Sequence, residues 1–171
     1  QNGTTIYYVP AGYRYVKHIL IEFTDEDSQA ISDLESQISQ KQTELSTAET
    51  SLADLGEDAS ADDEATAQNR ATLSETVEAR TAEIADLESQ LEDAKEAAYA
   101  AIQPTVDEVE EKLAAGEDFD ALMEQYGQDP GMQTSPAKEN GYPVSADSTN
   151  WVTEFRDAAM ALENVGDVSE P

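Results

Sequence analysis

The sequence contains no cysteine and only one histidine, His18. The absence of cysteine excludes disulfide frameworks, cysteine-based zinc sites and thiol nucleophiles. A single histidine also excludes mechanisms that need two imidazoles from this chain, together with most histidine-rich metal sites. We therefore expect neither a metal site nor a cofactor.

Basic residues are scarce, with 9 Lys and Arg against 38 Asp and Glu in 171 residues, a formal net charge of -29. Such a chain repels phosphate backbones and anionic membranes, so we expect no nucleic-acid partner. No apolar run approaches the roughly 18 residues of a membrane span. Residues 1–5 have neither the basic nor the apolar part of a signal peptide, so any export signal is expected outside this sequence.

The middle of the chain lacks the residues that interrupt helices. Between Thr24 and Ala98 there is no aromatic residue, no proline and one glycine, Gly56. The aromatic residues cluster on either side, at Tyr7, Tyr8, Tyr13, Tyr15 and Phe23, and at Phe119, Tyr126, Tyr142, Trp151 and Phe155. This composition therefore predicts that the middle of the chain is one insertion between two pieces of a globular domain.

This insertion has a seven-residue repeat of apolar positions. Alternating steps of three and four place them on one narrow stripe of a helix, which is typical of a coiled-coil seam. The first half contributes Ile31, Leu34, Ile38, Lys41, Leu45, Ala48, Leu52 and Leu55, and the second Leu73, Val77, Arg80, Ile84, Leu87, Leu91, Ala94 and Ala98.

Capping signals divide the insertion into two helices, at roughly 27–55 and 63–102. Thr24–Asp27 and Ser60–Asp63 resemble capping boxes, and Gly56 stands where a C-terminal cap is expected. We predict an antiparallel hairpin over residues 24–102, called the arm below, about 40 Å long at 1.5 Å per residue.

Two charged residues, Lys41 and Arg80, fall on the seam, where we expect them to fix the register of the helices. The acidic outer surface of the arm has two interpretations. It is either a solvated helix face or a surface that binds a partner.

The flanking pieces predict an α+β domain. Alternating β-branched and aromatic residues predict a strand over Tyr13–Phe23. Pro104 is expected to end or kink the long helix. We predict further short helices around Val109 and Leu122, a strand at Gly141–Ser145, a helix capped by Asn150 with Val152 on its inner face, and a strand beginning at Val165.

His18 itself has a structural and a functional interpretation, since a lone histidine on a strand is usually held by local hydrogen bonds. Nothing in the sequence supports a serine triad, because a Gly-x-Ser-x-Gly turn is absent. A glycine-rich phosphate loop is absent too.

Several ordered segments resemble parvulin-type peptidyl-prolyl isomerases, particularly the PrsA/SurA-type secretion foldases. Tyr15–Ile21 is similar to their first strand, which carries a histidine. Lys112–Leu122 resembles the family's K-L-x-x-G-x-D-F-x-x-L segment, and Tyr126–Asp129 the following helix end. Glu154–Leu162 and Val165–Pro171 resemble the late helix and the strand after it.

The resemblance implies a small antiparallel sheet surrounded by helices. Residues 1–23 and 103–171 would form a discontinuous parvulin-like domain, interrupted by the arm at 24–102. The family's final strand, with a second histidine, is expected after Pro171 and is missing from this sequence.

The resemblance also implies the site. His18 and Asp129 would be the catalytic polar pair beside the X-Pro bond, while substrate-binding residues would surround the proline ring. These are Trp151, Phe155, Tyr142 and Met132.

The function implied is non-covalent isomerisation of X-Pro bonds by an extracytoplasmic folding factor, with partly folded polypeptides as substrates. We expect it on the surface of a Gram-positive bacterium, with any lipid anchor outside this chain. The alternatives are a non-catalytic chaperone that binds through the arm, and a structural spacer whose coiled coil pairs with a partner or with itself.

Overall fold

The computed structural model describes residues 11–56 and 63–171, and it separates into two compact units. One unit joins the residues up to Glu22 with Pro104–Pro171, and the other is Phe23–Gln103. The predicted cap at Ser60 and most of the predicted turn 56–62 lie outside the described residues. A mixed α+β fold with a helical insertion, as the sequence predicts, is confirmed.

The described residues form two short strands and five helices, four of which lie between the strands in the sequence. They are β1 (Tyr13–Val16), α1 (Asp25–Asp54), α2 (Glu64–Ala114), α3 (Phe119–Tyr126), α4 (Ala137–Asn140), β2 (Tyr142–Ser145) and α5 (Thr153–Ala161).

The unit Phe23–Gln103 is an antiparallel helical hairpin. Ion pairs between the helices run from Glu35–Lys95 at 3.1 Å to Glu44–Arg80 at 2.8 Å, so residue numbers rise on α1 as they fall on α2. The seam buries Ile38, Ala48, Ile84 and Ala98. The predicted heptad seam is thus confirmed.

The caps of α1 form as the sequence predicts. The Thr24 hydroxyl accepts a hydrogen bond from the Asp27 N–H at 3.1 Å. Gly56, with φ of +76°, follows the last turn and donates its N–H to the Ala53 carbonyl at 2.9 Å. At the start of α2, the Asp63 carboxylate accepts from the Thr66 N–H at 2.8 Å.

Charged residues on the seam are paired across it. Lys41 contacts Glu44 of its own helix and Glu83 of the other, each at 3.2 Å. Arg80 contacts the same two carboxylates. Glutamates of both helices therefore neutralise the two seam cations.

The other unit contains a two-stranded antiparallel sheet in which Val16 pairs with Tyr142 and Tyr13 with Ser145. Helix α5 packs against both strands. The buried apolar side chains of this unit come from the end of α2, α3, the segment before α4, β2 and α5: Val109, Leu122, Met123, Met132, Val144 and Ala159.

The predicted strand Tyr13–Phe23 is wrong beyond Val16, since residues 17–24 have no helix or strand. Its partner β2 has only four residues, and their pairing ends at Val16–Tyr142. Gly141, just before β2, has a φ of +80° and approaches Val16 closely. The chain after Val16 therefore has no partner in β2 and leaves the sheet, so that His18 lies beyond the strand.

Two helix ends and one predicted strand also differ from prediction. Helix α2 continues through Pro104 as far as Ala114, so the short helix predicted around Val109 is the last part of α2. Proline removes one N–H donor from a helix, and here that loss does not end it. Helix α5 has Val152 rather than Asn150 at its N-cap position, and Val152 is exposed. In place of the strand predicted from Val165, residues 164–167 form a turn closed by Asp167, and residues 168–171 have no helix or strand. No described strand pairs with them.

Candidate active site

The polar pair of the candidate site is His18 and Asp129. Nε2 of His18 lies 2.9 Å from Oδ2 of Asp129, and both side chains are largely buried. This contact lacks the alignment of a hydrogen bond, and neither ring nitrogen of His18 has a hydrogen-bond partner within the described residues. Buried nitrogens without partners are costly, and where they occur they are often part of a functional site.

Asp129 is fixed by the turn that it begins. Its Oδ1 accepts the Gly131 N–H at 2.7 Å, and its backbone carbonyl accepts the Met132 N–H at 3.1 Å. Asp-Pro-Gly is a typical turn sequence, because the aspartate side chain can accept from the backbone two residues later. The turn thereby sets the direction of the carboxylate.

A second donor reaches Asp129 from the sheet. The Tyr142 hydroxyl, on the first residue of β2, donates to Oδ2 of Asp129 at 2.9 Å. Burial by itself would raise the pKa of Asp129, but the Gly131 N–H, the Tyr142 hydroxyl and His18 together lower it. Burial and the neighbouring carboxylate raise the pKa of Tyr142. Asp129 is therefore ionised and Tyr142 is a neutral donor at physiological pH.

Three aromatic side chains, Tyr142, Trp151 and Phe155, form what we call the aromatic wall. Trp151 lies between the other two, with ring centroids 4.8 Å from Tyr142 and 5.2 Å from Phe155. Its indole N–H donates to the Pro143 carbonyl at 3.3 Å, which ties the segment before α5 to β2. The wall joins one strand to one helix.

The aromatic wall meets the polar pair at His18. The ring of His18 lies edge-on to Phe155, with centroids 5.2 Å apart, and 5.7 Å from Tyr142. An apolar surface thus borders a carboxylate and an imidazole. Such a site can hold an apolar ring while exposing a neighbouring polar bond to an ionised group.

The structure brings together five of the six residues expected at the site: His18, Asp129, Tyr142, Trp151 and Phe155. Met132, the sixth, is fully buried in the Asp129 turn. Within residues 11–56 and 63–171, no group of three or more His, Asp or Glu residues could hold a metal ion.

The sequence analysis missed two residues that shape the site. Gln128 accepts the Glu22 N–H on its side chain at 2.7 Å and donates its own N–H to the Leu20 carbonyl at 2.9 Å. Gly131 leaves space that the Tyr142 hydroxyl occupies. The Asp-Pro-Gly sequence indicates a turn and could have pointed to Gly131. Nothing in the sequence indicates the contacts of Gln128.

Comparisons with known proteins identify the family of the domain. Residues 86–171, half of the chain, match the family model described as the PPIC-type PPIase domain, or rotamase. The match includes Asp129 and the aromatic wall but not His18. No helix among the described residues is long and apolar enough to cross a bilayer.

One relative is the protein named Foldase protein PrsA 4 of Bacillus cereus, 47% identical over 70 residues. The aligned part is 40% of this chain and 23% of that protein, so the chain spans only a fraction of the relative's length. No solved structure matches the chain. The match over half of its length places this chain in the family of PPIC-type peptidyl-prolyl isomerase domains.

Proposed function

We propose that this chain catalyses the cis–trans isomerisation of X-Pro bonds in unfolded or partly folded polypeptides, and that it serves as part of a folding factor. The observation that carries the proposal is the junction of the aromatic wall with the polar pair, where His18 contacts both Phe155 and Asp129. Family membership and the likeness to a foldase support the same conclusion.

The reaction needs no covalent intermediate. Rotation about a peptide bond meets a barrier of about 18–20 kcal/mol, which arises from amide resonance. The twisted amide is less charge-separated than the planar one, so a site poor in water favours it. Trp151 and Phe155 would hold the proline ring in such surroundings, whereas Met132 is fully buried and offers no surface to it.

The polar pair would act on the bond itself. The carboxylate of Asp129 is held by Gly131 and Tyr142 and lies against His18, an arrangement suited to electrostatic action rather than to nucleophilic attack. The nitrogens of His18, which have no hydrogen-bond partner within the described residues, retain their capacity for hydrogen bonding. We assign these two residues to setting the polarity around the rotating bond.

The test is two-dimensional NMR exchange on an X-Pro peptide mixed with the chain. Exchange cross-peaks should appear with the unsubstituted chain and weaken at least tenfold with Asp129→Asn. Asp147→Asn is the matched control, because Asp147 is an exposed carboxylate in the turn after β2. Peptide binding without exchange would contradict the proposal.

The alternative of a chaperone that binds clients through the arm is less well supported. Of the large apolar side chains that are strongly exposed, only Tyr99 belongs to the described part of Phe23–Gln103. Binding of unfolded chains usually needs an exposed apolar surface. The arm offers mainly carboxylates.

We further propose that the protein works outside the cytoplasm, at the surface of a Gram-positive cell. The resemblance to secretion foldases and the Bacillus relative support this location. Labelling of intact cells with an antibody against the arm tests it. Signal that appears only after lysis would contradict it.

A further inference from the structure

We propose that Tyr142 is a positioning residue, whose hydroxyl holds the Asp129 carboxylate in place against His18 rather than binding the substrate. This inference rests on the proposed function, since it assigns a task within the same site. Its first support is that the hydroxyl and His18 share one oxygen of Asp129, Oδ2, each at 2.9 Å.

The second support is the space that Gly131 leaves. A side chain at Gly131 would occupy the position of the Tyr142 hydroxyl, so hydroxyl and turn fit together only because residue 131 is glycine. Gly131 has no positive φ, and backbone strain therefore does not explain the glycine. The requirement is room for the hydroxyl beside Asp129.

The third support is that the tyrosine ring is itself held. It lies on the first residue of β2, paired with Val16, and packs against Trp151 with centroids 4.8 Å apart. A hydroxyl on a fixed ring cannot follow a moving carboxylate. It confines Oδ2 to one position instead, and the Gly131 N–H confines Oδ1.

Among the residues that the structure describes, the titratable side chains that contact Asp129 are His18, from the segment after β1, and Tyr142, from β2. Removal of the hydroxyl takes away one donor that stabilises the ionised carboxylate, so the pKa of Asp129 should rise. The acid limb of the pH–activity profile should then move to higher pH. A residue that only contacts substrate would leave that limb in place.

The experiment compares Tyr142→Phe with Tyr126→Phe. Phenylalanine keeps the packing of residue 142 and removes only the hydroxyl. Tyr126 is a matched control outside the site, because its hydroxyl also donates to a carboxylate, that of Glu108, at 2.6 Å. The readouts are kcat and KM for an X-Pro peptide and the carbon-13 titration of the Asp129 carboxyl group.

Tyr142→Phe should lower kcat about tenfold, the usual scale of a hydrogen bond to a charged group, with KM nearly unchanged. It should also raise the pKa of Asp129, while Tyr126→Phe does neither. Gly131→Ala, which displaces the hydroxyl without removing it, should reproduce both effects. The Gly131→Ala variant therefore tests the same inference if Tyr142→Phe does not fold.

An unchanged titration of Asp129 in a folded Tyr142→Phe variant would overturn the inference. A raised KM with unchanged kcat would also overturn it and assign Tyr142 to substrate binding. Absence of exchange with the unsubstituted chain would instead refute the proposed function. In that case the titration of Asp129 still decides whether Tyr142 holds the carboxylate.

Discussion

The backbone N–H of Gln128 donates to the Leu20 carbonyl at 2.9 Å, which joins the residue before Asp129 to the segment that carries His18. The Gln128 side chain adds a second link, since its Oε1 accepts the Glu22 N–H at 2.7 Å. The whole arm lies between the linked residues in the sequence. These two hydrogen bonds thus hold the two halves of the polar pair together.

Gln128→Ala should loosen the polar pair at little cost in stability. The lost hydrogen bond is exposed, so unfolding should become easier by about 1 kcal/mol or less. X-Pro exchange should fall several-fold, because the position of His18 relative to Asp129 becomes less defined. Gln125→Ala, an exposed glutamine on α3, is the control. Equal exchange rates for the two variants would contradict this role.

Asp129 should stabilise the folded chain in a pH-dependent way. Its pKa is lowered in the folded state, so its contribution is fully present above the unfolded value of about 3.9. The contribution is lost as the pH falls through the lower folded pKa. The free energy of unfolding in urea should therefore be higher for the unsubstituted chain than for Asp129→Asn at pH 7. This difference should shrink well below pH 4. A difference that stays constant with pH would contradict the assignment.

Gly141→Ala should disrupt the pairing of β1 with β2. A Cβ at residue 141 would lie 2.7 Å from the Val16 carbonyl oxygen, and the backbone φ of +80° disfavours any other residue. Gly166→Ala is the matched control, because its φ is +95° and its Cβ would meet no atom within 4 Å. The control should lose about 1–2 kcal/mol from backbone strain alone. The free energy of unfolding should fall clearly further in Gly141→Ala, as measured by Trp151 fluorescence during urea unfolding.

The arm could be predicted from the sequence because its structure depends on local periodicity. Ile38 and Ile84 occupy the predicted seam and are buried there, and Thr24 caps α1 as its sequence indicates. Pro104 shows the limit of such reasoning. Its effect on a helix depends on the turns around it, and here α2 continues.

The sequence could predict which residues form the site, but not the contacts between them. The resemblance named His18, Asp129 and the aromatic wall, but the hydroxyl contact of Tyr142 depends on the path of residues 130–141. Likewise, the end of β1 at Val16 depends on the length of β2, a non-local property. Periodicity within Tyr13–Phe23 cannot indicate where the partner strand ends.

Ile84→Ala should destabilise the hairpin. Ile84 is buried in the seam, and removal of a buried isoleucine side chain costs about 2–4 kcal/mol through lost burial and the cavity that remains. Ser89→Ala, on an exposed position of the same helix, should leave stability nearly unchanged. Thermal unfolding followed by circular dichroism at 222 nm measures both. Equal melting temperatures would mean that the seam does not stabilise the arm.

Removal of the arm should leave isomerase activity intact, if the discontinuous domain predicted from the sequence folds on its own. The aromatic rings of Phe23 and Tyr99 lie with centroids 5.0 Å apart, so residues 27–98 can be replaced by a short Gly-Ser linker. The residues of the polar pair and the aromatic wall are all retained. The shortened chain should therefore catalyse X-Pro exchange within about twofold of the full chain, as measured by NMR exchange.

The variant without residues 27–98 also shows whether the arm binds clients or is only a solvated surface. Suppression of client aggregation should persist after the replacement, because the arm exposes little apolar surface. Its loss, with exchange preserved, would show that clients bind the arm. Loss of exchange in a variant that retains the near-ultraviolet spectrum of Trp151 would show that the arm contributes to the site, and the discontinuous-domain interpretation would then be wrong.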